Sequence, residues 1–160
     1  MNKTEMSAKL KKIDLQEYGK ELGNSWMQEH AKIVESYMNE PVEDLVPSVL
    51  YGLQDLQVRD YALGLLDKSN LLHKIALEKL VNLSPAKYSH PATTMLAIWF
   101  WENGNVAKTS QLLAKCTGYP LASLITRCIF AGWEPTEMSK MRLELHQSVV
   151  DNIFNQMVSA

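Results

Sequence analysis

Residues 95–101, MLAIWFW, are seven consecutive apolar side chains, three of them aromatic, and they run through Glu102 into Asn103-Gly104-Asn105. Asn-Gly between apolar runs is the strongest short hairpin signal, and it would join two strands by a tight turn. The competing reading is a buried helix stopped by Gly104 and followed by a second helix capped by Asn105. The residues after the turn decide between them. NVAKTSQLLAK does not alternate apolar and polar; Val106, Ala107, Ser110, Leu113 and Ala114 recur at helical spacing. Upstream, Pro91 suits a first helical turn, with Ser89 or His90 near the cap. The segment therefore reads as a helical hairpin. Unbroken apolarity from Met95 to Trp101 implies that its first helix is buried on most sides.

The same reading extends along the chain. Asp14 followed by Glu17 matches a capping box. Leu15, Tyr18, Leu22, Trp26, Ile33 and Tyr37 then form one stripe, predicting a long helix that ends near Asn39-Glu40-Pro41. Gly19 and Gly23 weaken its middle by roughly 1 kcal/mol each relative to alanine and read as places of close helix packing. Three shorter helices are expected next. Pro41 with Glu43 and Asp44 suits a first turn, and Pro47 is either tolerated early or marks a shifted start. A break falls near Gln54-Asp55. Ser69 is the expected N-cap of a helix striped by Leu72, Ile75, Ala76 and Leu80 and ended by Ser84-Pro85. Beyond the hairpin, Gly118-Tyr119-Pro120 breaks the chain and Gly132 stops the next helix. A last helix starts near Pro135-Thr136 with Met138, Met141, Leu145, Val149, Ile153 and Met157 as its stripe.

The expected architecture is one all-α domain over 1–160 with about eight helices. It divides into a long helical region over 1–40, helical hairpins over 41–134 and a terminal helix over 135–160. Residues 61–80 align with 97–116 at an offset of about 36, placing Leu77 on Leu113 and Lys79 on Lys115. That spacing is repeat-like and close to the tetratricopeptide period, without its full signature.

Composition limits the function classes. A chain of 160 residues with 46% hydrophobic and 21% charged residues is ordinary globular material, and seven glycines and six prolines are too few for a turn-rich all-β fold. A net charge of -2 weighs against nonspecific nucleic-acid binding, so nucleic acid is not the expected partner. Lys9, Lys11 and Lys12 read as a solvated face. The segment MNKTEMSAKLKK holds no apolar core of a secretory signal, and no apolar run approaches the roughly 20 residues that span a bilayer. A soluble cytoplasmic protein is expected.

No catalytic constellation is visible. Cys116 and Cys128 lack the close spacing of a zinc site and read as reduced core thiols. His30, His73, His90 and His146 are scattered, and phosphate-loop, dinucleotide and nucleophile-elbow patterns are absent from the sequence. No catalytic residue, metal or cofactor is expected. Arg59-Asp60 reads as an ion pair that either orients a helix or belongs to a binding surface. Trp99, Trp101, Tyr119 and Trp133 are either core or the lining of a groove. Arg59, Trp101, Tyr119 and Trp133 are therefore the candidate partner-binding residues. The expected function is a non-enzymatic protein-protein interaction module with a protein partner. The alternative is a DNA-binding regulator that contacts DNA through one hairpin and forms a homodimer through its terminal helices.

Pro91 to Trp101, Gly104-Asn105, Tyr119-Pro120-Leu121-Ala122 and Gly132-Trp133-Glu134-Pro135, with Arg59-Asp60 at an earlier helix start, carry a family likeness. Roughly residues 45–137 resemble the C-terminal helical part of the actinobacterial domain-of-unknown-function family number 4192. The chain departs from that family in lacking its larger N-terminal α/β-like portion. It is also shorter after Cys116, where the usual Asp-Pro is missing. The resemblance implies helical hairpins and transfers no catalytic residue, because the family has no established activity. Richness in lysine, asparagine and methionine is consistent with a phage or plasmid origin.

Overall fold

The computed structural model describes residues 1–17 and 23–155. Among them it is all-helical: α1 (Lys3–Glu17), α2 (Asn24–Asn39), α3 (Val46–Gly52), α4 (Leu56–Leu65), α5 (Leu71–Leu83), α6 (His90–Glu102), α7 (Val106–Ala114), α8 (Pro120–Phe130) and α9 (Pro135–Phe154). Single 3-10 turns over Glu43–Leu45 and Ala86–Tyr88 lead into α3 and α6. None of these helices is long and apolar enough to cross a membrane.

The tryptophan-rich segment is the central rod. Every residue of α6 from Pro91 to Trp99 is buried, as are Trp101 and Glu102. α5 and α7 lie along it, and α8 and α9 add to its cover. The rod stops as the glycine requires. Gly104 has φ +80°, its N–H donates to the Trp101 carbonyl at 2.9 Å, and the Asn105 N–H donates to the Phe100 carbonyl at 2.9 Å. These two bonds satisfy carbonyls that the helix end would otherwise leave open. Asn105 then caps the next helix, its side-chain oxygen accepting from the Lys108 N–H at 3.0 Å. The hairpin is helical, as the spacing predicts.

A second group forms around α2, which packs against α3, α4, α5 and α9. Tyr37 is fully buried there and donates its hydroxyl to the Ala76 carbonyl of α5 at 2.7 Å. α1 covers α3 with Met6 and Leu10, both fully buried.

Several local expectations are corrected. The N-terminal helix does not start at Asp14. α1 starts at Lys3, where the Asn2 side chain accepts from the Glu5 N–H at 2.9 Å and the Glu5 carboxylate accepts back from Asn2 Nδ2. The first bond is that of an N-cap; the return bond goes to the Asn2 side-chain amide and not to its backbone N–H, so this is half of a capping box, one turn ahead of the buried pair Met6 and Leu10. Asp14 instead accepts the Tyr51 hydroxyl at 3.2 Å, tying α1 to α3, and Leu15 is exposed. The single long helix is two helices, with Gly23 as the extended N-cap of α2. The predicted stripe members Tyr18 and Leu22, like Gly19 and Met157, lie outside the described residues.

Asn70 rather than Ser69 caps α5, accepting from the Leu72 N–H. The buried face of α5 is His73, Ala76, Leu77, Leu80 and Leu83, while the expected stripe members Leu72 and Ile75 are exposed. In α7, Thr109 and Leu112 are buried, whereas Val106, Ala107, Ser110 and Ala114 are not. In α9 the expected Leu145 is exposed and Arg142 is buried in its place.

Candidate functional site

The four residues singled out from sequence do not form one surface. Arg59 and Tyr119 do meet. Tyr119 is the residue before α8, and its hydroxyl accepts from Arg59 Nη1 at 3.2 Å. Arg59 also chelates its neighbour Asp60, with Nε and Nη2 at 3.0 and 2.8 Å from one carboxylate oxygen. Burial alone would pull the Arg59 guanidinium down, but the hydrogen bonds to Tyr119 and Asp60 and the Asp60 charge outweigh it and hold it up. The His90 ring stands 5.5 Å from the Tyr119 ring. This cluster pins the start of α8 to α4 and α6. Trp101, by contrast, is 4% exposed and belongs to the core. Trp133 packs partly buried against that core, and its backbone N–H closes α8 on the Cys128 carbonyl at 3.0 Å. Trp99 also faces inward and donates its indole N–H to the Asp67 carbonyl.

The two thiols are free and buried, and burial pushes the Cys116 thiol up. Burial also holds His30, His73 and His146 below the ordinary histidine range. No three potential metal ligands gather among the described residues.

What the arrangement does create is a groove between α7 and α8, with a volume of about 870 Å3. Gly118, at φ +85°, turns the chain between the two helices. Towards that turn the lining is small, with Ala114, Cys116, Ala122 and Ser123. Small side chains leave the space between the helix axes unfilled. Towards the far ends the walls are larger and apolar, with Val106 on α7 and Ile129 and Phe130 on α8. Phe130 is 87% exposed and Val106 60% exposed. Phe130 falls on the face of α8 opposite its buried residues Leu121, Ala122, Ile125 and Cys128, and the chain leaves the helix at Gly132, where φ is +86°.

The stretch that builds the two helices is free of acid, but only one of its cations lines the groove. Lys108, Lys115 and Arg127 fall between Asn103 and Trp133, and that stretch contains no aspartate or glutamate, in a chain of net charge -2. Arg127 lines the groove itself. No carboxylate among the described residues pairs with any of these three cations. Lys108 instead stands 6.0 Å from the Phe100 ring. None of Arg59, Trp101, Tyr119 or Trp133 lines the groove. No local sequence signal marks the groove, because its lining is drawn from two helices.

Comparison with protein-family models, with curated proteins and with solved structures finds no match to this chain.

Proposed function

We propose that the protein is a non-enzymatic, cytoplasmic protein-protein interaction module whose binding surface is the α7–α8 groove. The observation that carries this reading is Phe130. A large aromatic side chain, 87% exposed at the mouth of an apolar groove, loses roughly 1.5–3 kcal/mol relative to the same side chain covered. Aromatic residues beside grooves are the usual anchors of protein interfaces. The free thiols fit a reducing compartment.

The repeat-like character belongs to the same proposal. The turn into α5 and the turn into α7 each place an asparagine, Asn70 and Asn105, as side-chain cap of the second helix. Kinship with domain-of-unknown-function family 4192 is supported by where its motifs fall. Gly104-Asn105, Tyr119-Pro120 and Gly132-Trp133 all stand at helix boundaries.

The test is co-precipitation from a lysate of the native host with wild-type protein and with Phe130→Asp. A stoichiometric protein retained by the first and lost by the second supports the module; identical profiles overturn it. A second reading, self-association through the terminal helices, rests on Leu15 of α1 and on Leu143 and Leu145 of α9, all more than half exposed. Sedimentation equilibrium across a concentration series tests it.

A further inference from the structure

We propose that a second cavity, separate from the α7–α8 groove and walled by α1, α2, α3 and the start of α4, binds a quaternary ammonium group. It measures about 480 Å3. Three aromatic side chains line it: Trp26 of α2, Tyr51 of α3 and Tyr88 of the 3-10 turn before α6. The Trp26 and Tyr51 rings meet at 71° with centroids 6.4 Å apart, and those of Tyr51 and Tyr88 at 38° and 6.5 Å. Neither pair is stacked face to face, so the rings do not cover one another's π surfaces. A ring face is the negative pole of the aromatic quadrupole and attracts a cation. A methylated ammonium suits such walls, because its methyl groups give up little hydration while its charge is kept. One ring already takes an ammonium of the chain itself: Lys87 Nζ stands 5.5 Å from the Tyr88 centroid.

The carboxylates point the same way. Asp14 and Asp55 both line the cavity, and neither forms an ion pair among the described residues. Asp14 Oδ1 accepts from the Tyr51 hydroxyl, and Asp55 Oδ1 accepts from the Gln57 and Val58 N–H groups as the cap of α4. One oxygen of each is thus committed to the fold, and the charge of each stays unbalanced. Burial first, then the Asp14 hydrogen bond and the charges of Asp14 and Glu17, push the Tyr51 hydroxyl up to about 12. Against these acids the lining holds one cation, the exposed Lys87. An anion would face two carboxylates there. A divalent metal would lack ligands, since no three potential metal ligands gather among the described residues.

The test titrates choline chloride into the full chain and follows the Trp26 indole N–H in nitrogen–proton correlation spectra. That N–H is buried and has no acceptor among the described residues, so it reports on this wall of the cavity. Trp26→Phe, which keeps a ring, assigns its resonance. The controls are the neutral carbon isostere of choline, with a quaternary carbon in place of the nitrogen, and potassium chloride at equal ionic strength. Choline is expected to shift the resonance saturably and to bind at least about fivefold tighter than the isostere, with no saturable shift from potassium. The double variant Asp14→Asn with Asp55→Asn keeps an acceptor at each position and should weaken choline at least about threefold. Lys87→Ala removes the competing ammonium and should tighten it. Circular dichroism checks that the variants are folded. Equal affinity for choline and its isostere overturns the proposal. So does the lack of a saturable shift, unchanged affinity in the double aspartate variant, or weaker binding in Lys87→Ala.

Discussion

Arg142 of α9 holds Glu102 at the end of α6 by two parallel hydrogen bonds. Nε reaches one carboxylate oxygen and Nη2 the other, each at 2.7 Å. Both side chains are almost fully buried. The remaining Arg142 nitrogen, Nη1, donates to the carbonyls of Leu63 and Leu66 at the C-terminus of α4, where Leu63 also accepts the Leu66 N–H. Ser139 adds a third donor to Glu102. One guanidinium thus ties three helices.

Removing either partner strands a buried charge, which costs about 3–5 kcal/mol. Arg142→Met and Glu102→Leu should each lower urea-unfolding stability by that order. The double variant should recover a large part of the loss, because no lone charge remains. Arg142→Lys should fail to rescue, since an ammonium cannot serve both carboxylate oxygens and the α4 carbonyls. Additive losses in the double variant would show that the pair is not the origin of the effect.

Gly104 gives a cleaner prediction, because space plays no part in it. A Cβ built there meets nothing within 4 Å, yet φ is +80°. Any cost of substitution is therefore the backbone's alone. Gly104→Val should lower stability by more than about 1 kcal/mol, since a β-branched residue resists the left-handed region. Gly104→Asn should cost less than either valine or alanine. Thermal melts of the three variants check the order, and an unchanged melting temperature for valine would contradict the role of this turn.

These two sites mark what a sequence shows and what it hides. The turn at Asn103-Gly104-Asn105 is local chemistry. A left-handed glycine and a capping asparagine act within five residues, so the helical hairpin and the interior position of α6 follow from the string. Arg142 and Glu102 lie 40 residues apart. A stripe drawn by counting apolar residues puts Leu145 inward and leaves Arg142 in solvent, whereas burial selects the reverse. A long charged side chain goes inside only when a distant partner is waiting, which spacing within one helix cannot reveal. Asn2 and Asp14 each precede a glutamate by three residues, so spacing alone does not choose the cap. The burial of Met6 and Leu10 distinguishes them. The groove is not legible in the string because its lining comes from two helices, and a gap has no residue to announce it.

Acid should loosen the fold through its histidines. The Asp67 N–H donates to His73 Nδ1 at 3.0 Å, so that nitrogen must be unprotonated in the native state. Burial lowers His73; the Asp67 charge opposes it, and the Arg142 charge adds a smaller lowering. Burial likewise lowers His30 and His146. Each native pKa lies below the unfolded value of about 6.5, so on acidification the unfolded chain takes up protons first. The stabilisation is complete above about pH 6.5 and is lost as pH falls through that value towards the native pKa values. Urea midpoints should be flat between about pH 7 and 8 and should fall between about pH 6.5 and 5. His73→Gln, which keeps an acceptor that cannot titrate, should flatten part of that slope. A midpoint that rises on acidification would mean that these rings gain charge partners on folding.

Gly64 and His146 test how closely α4 and α9 approach. A Cβ built at Gly64 would overlap His146 Nδ1 and Cγ and fall 2.8 Å from His146 Cβ. Alanine ordinarily gains about 1 kcal/mol over glycine inside a helix. Here the methyl meets the ring and its root, not the tip of a flexible chain, so overpacking of about 1–3 kcal/mol opposes that gain. Gly64→Ala should therefore destabilise the protein despite its better helix propensity. In a His146→Ala background the ring is gone but the Cβ contact remains, so the cost should shrink by more than half without vanishing. Urea unfolding of the four proteins in this cycle gives the coupling directly. A cost that is the same with and without the imidazole would place the strain somewhere other than the α4–α9 contact.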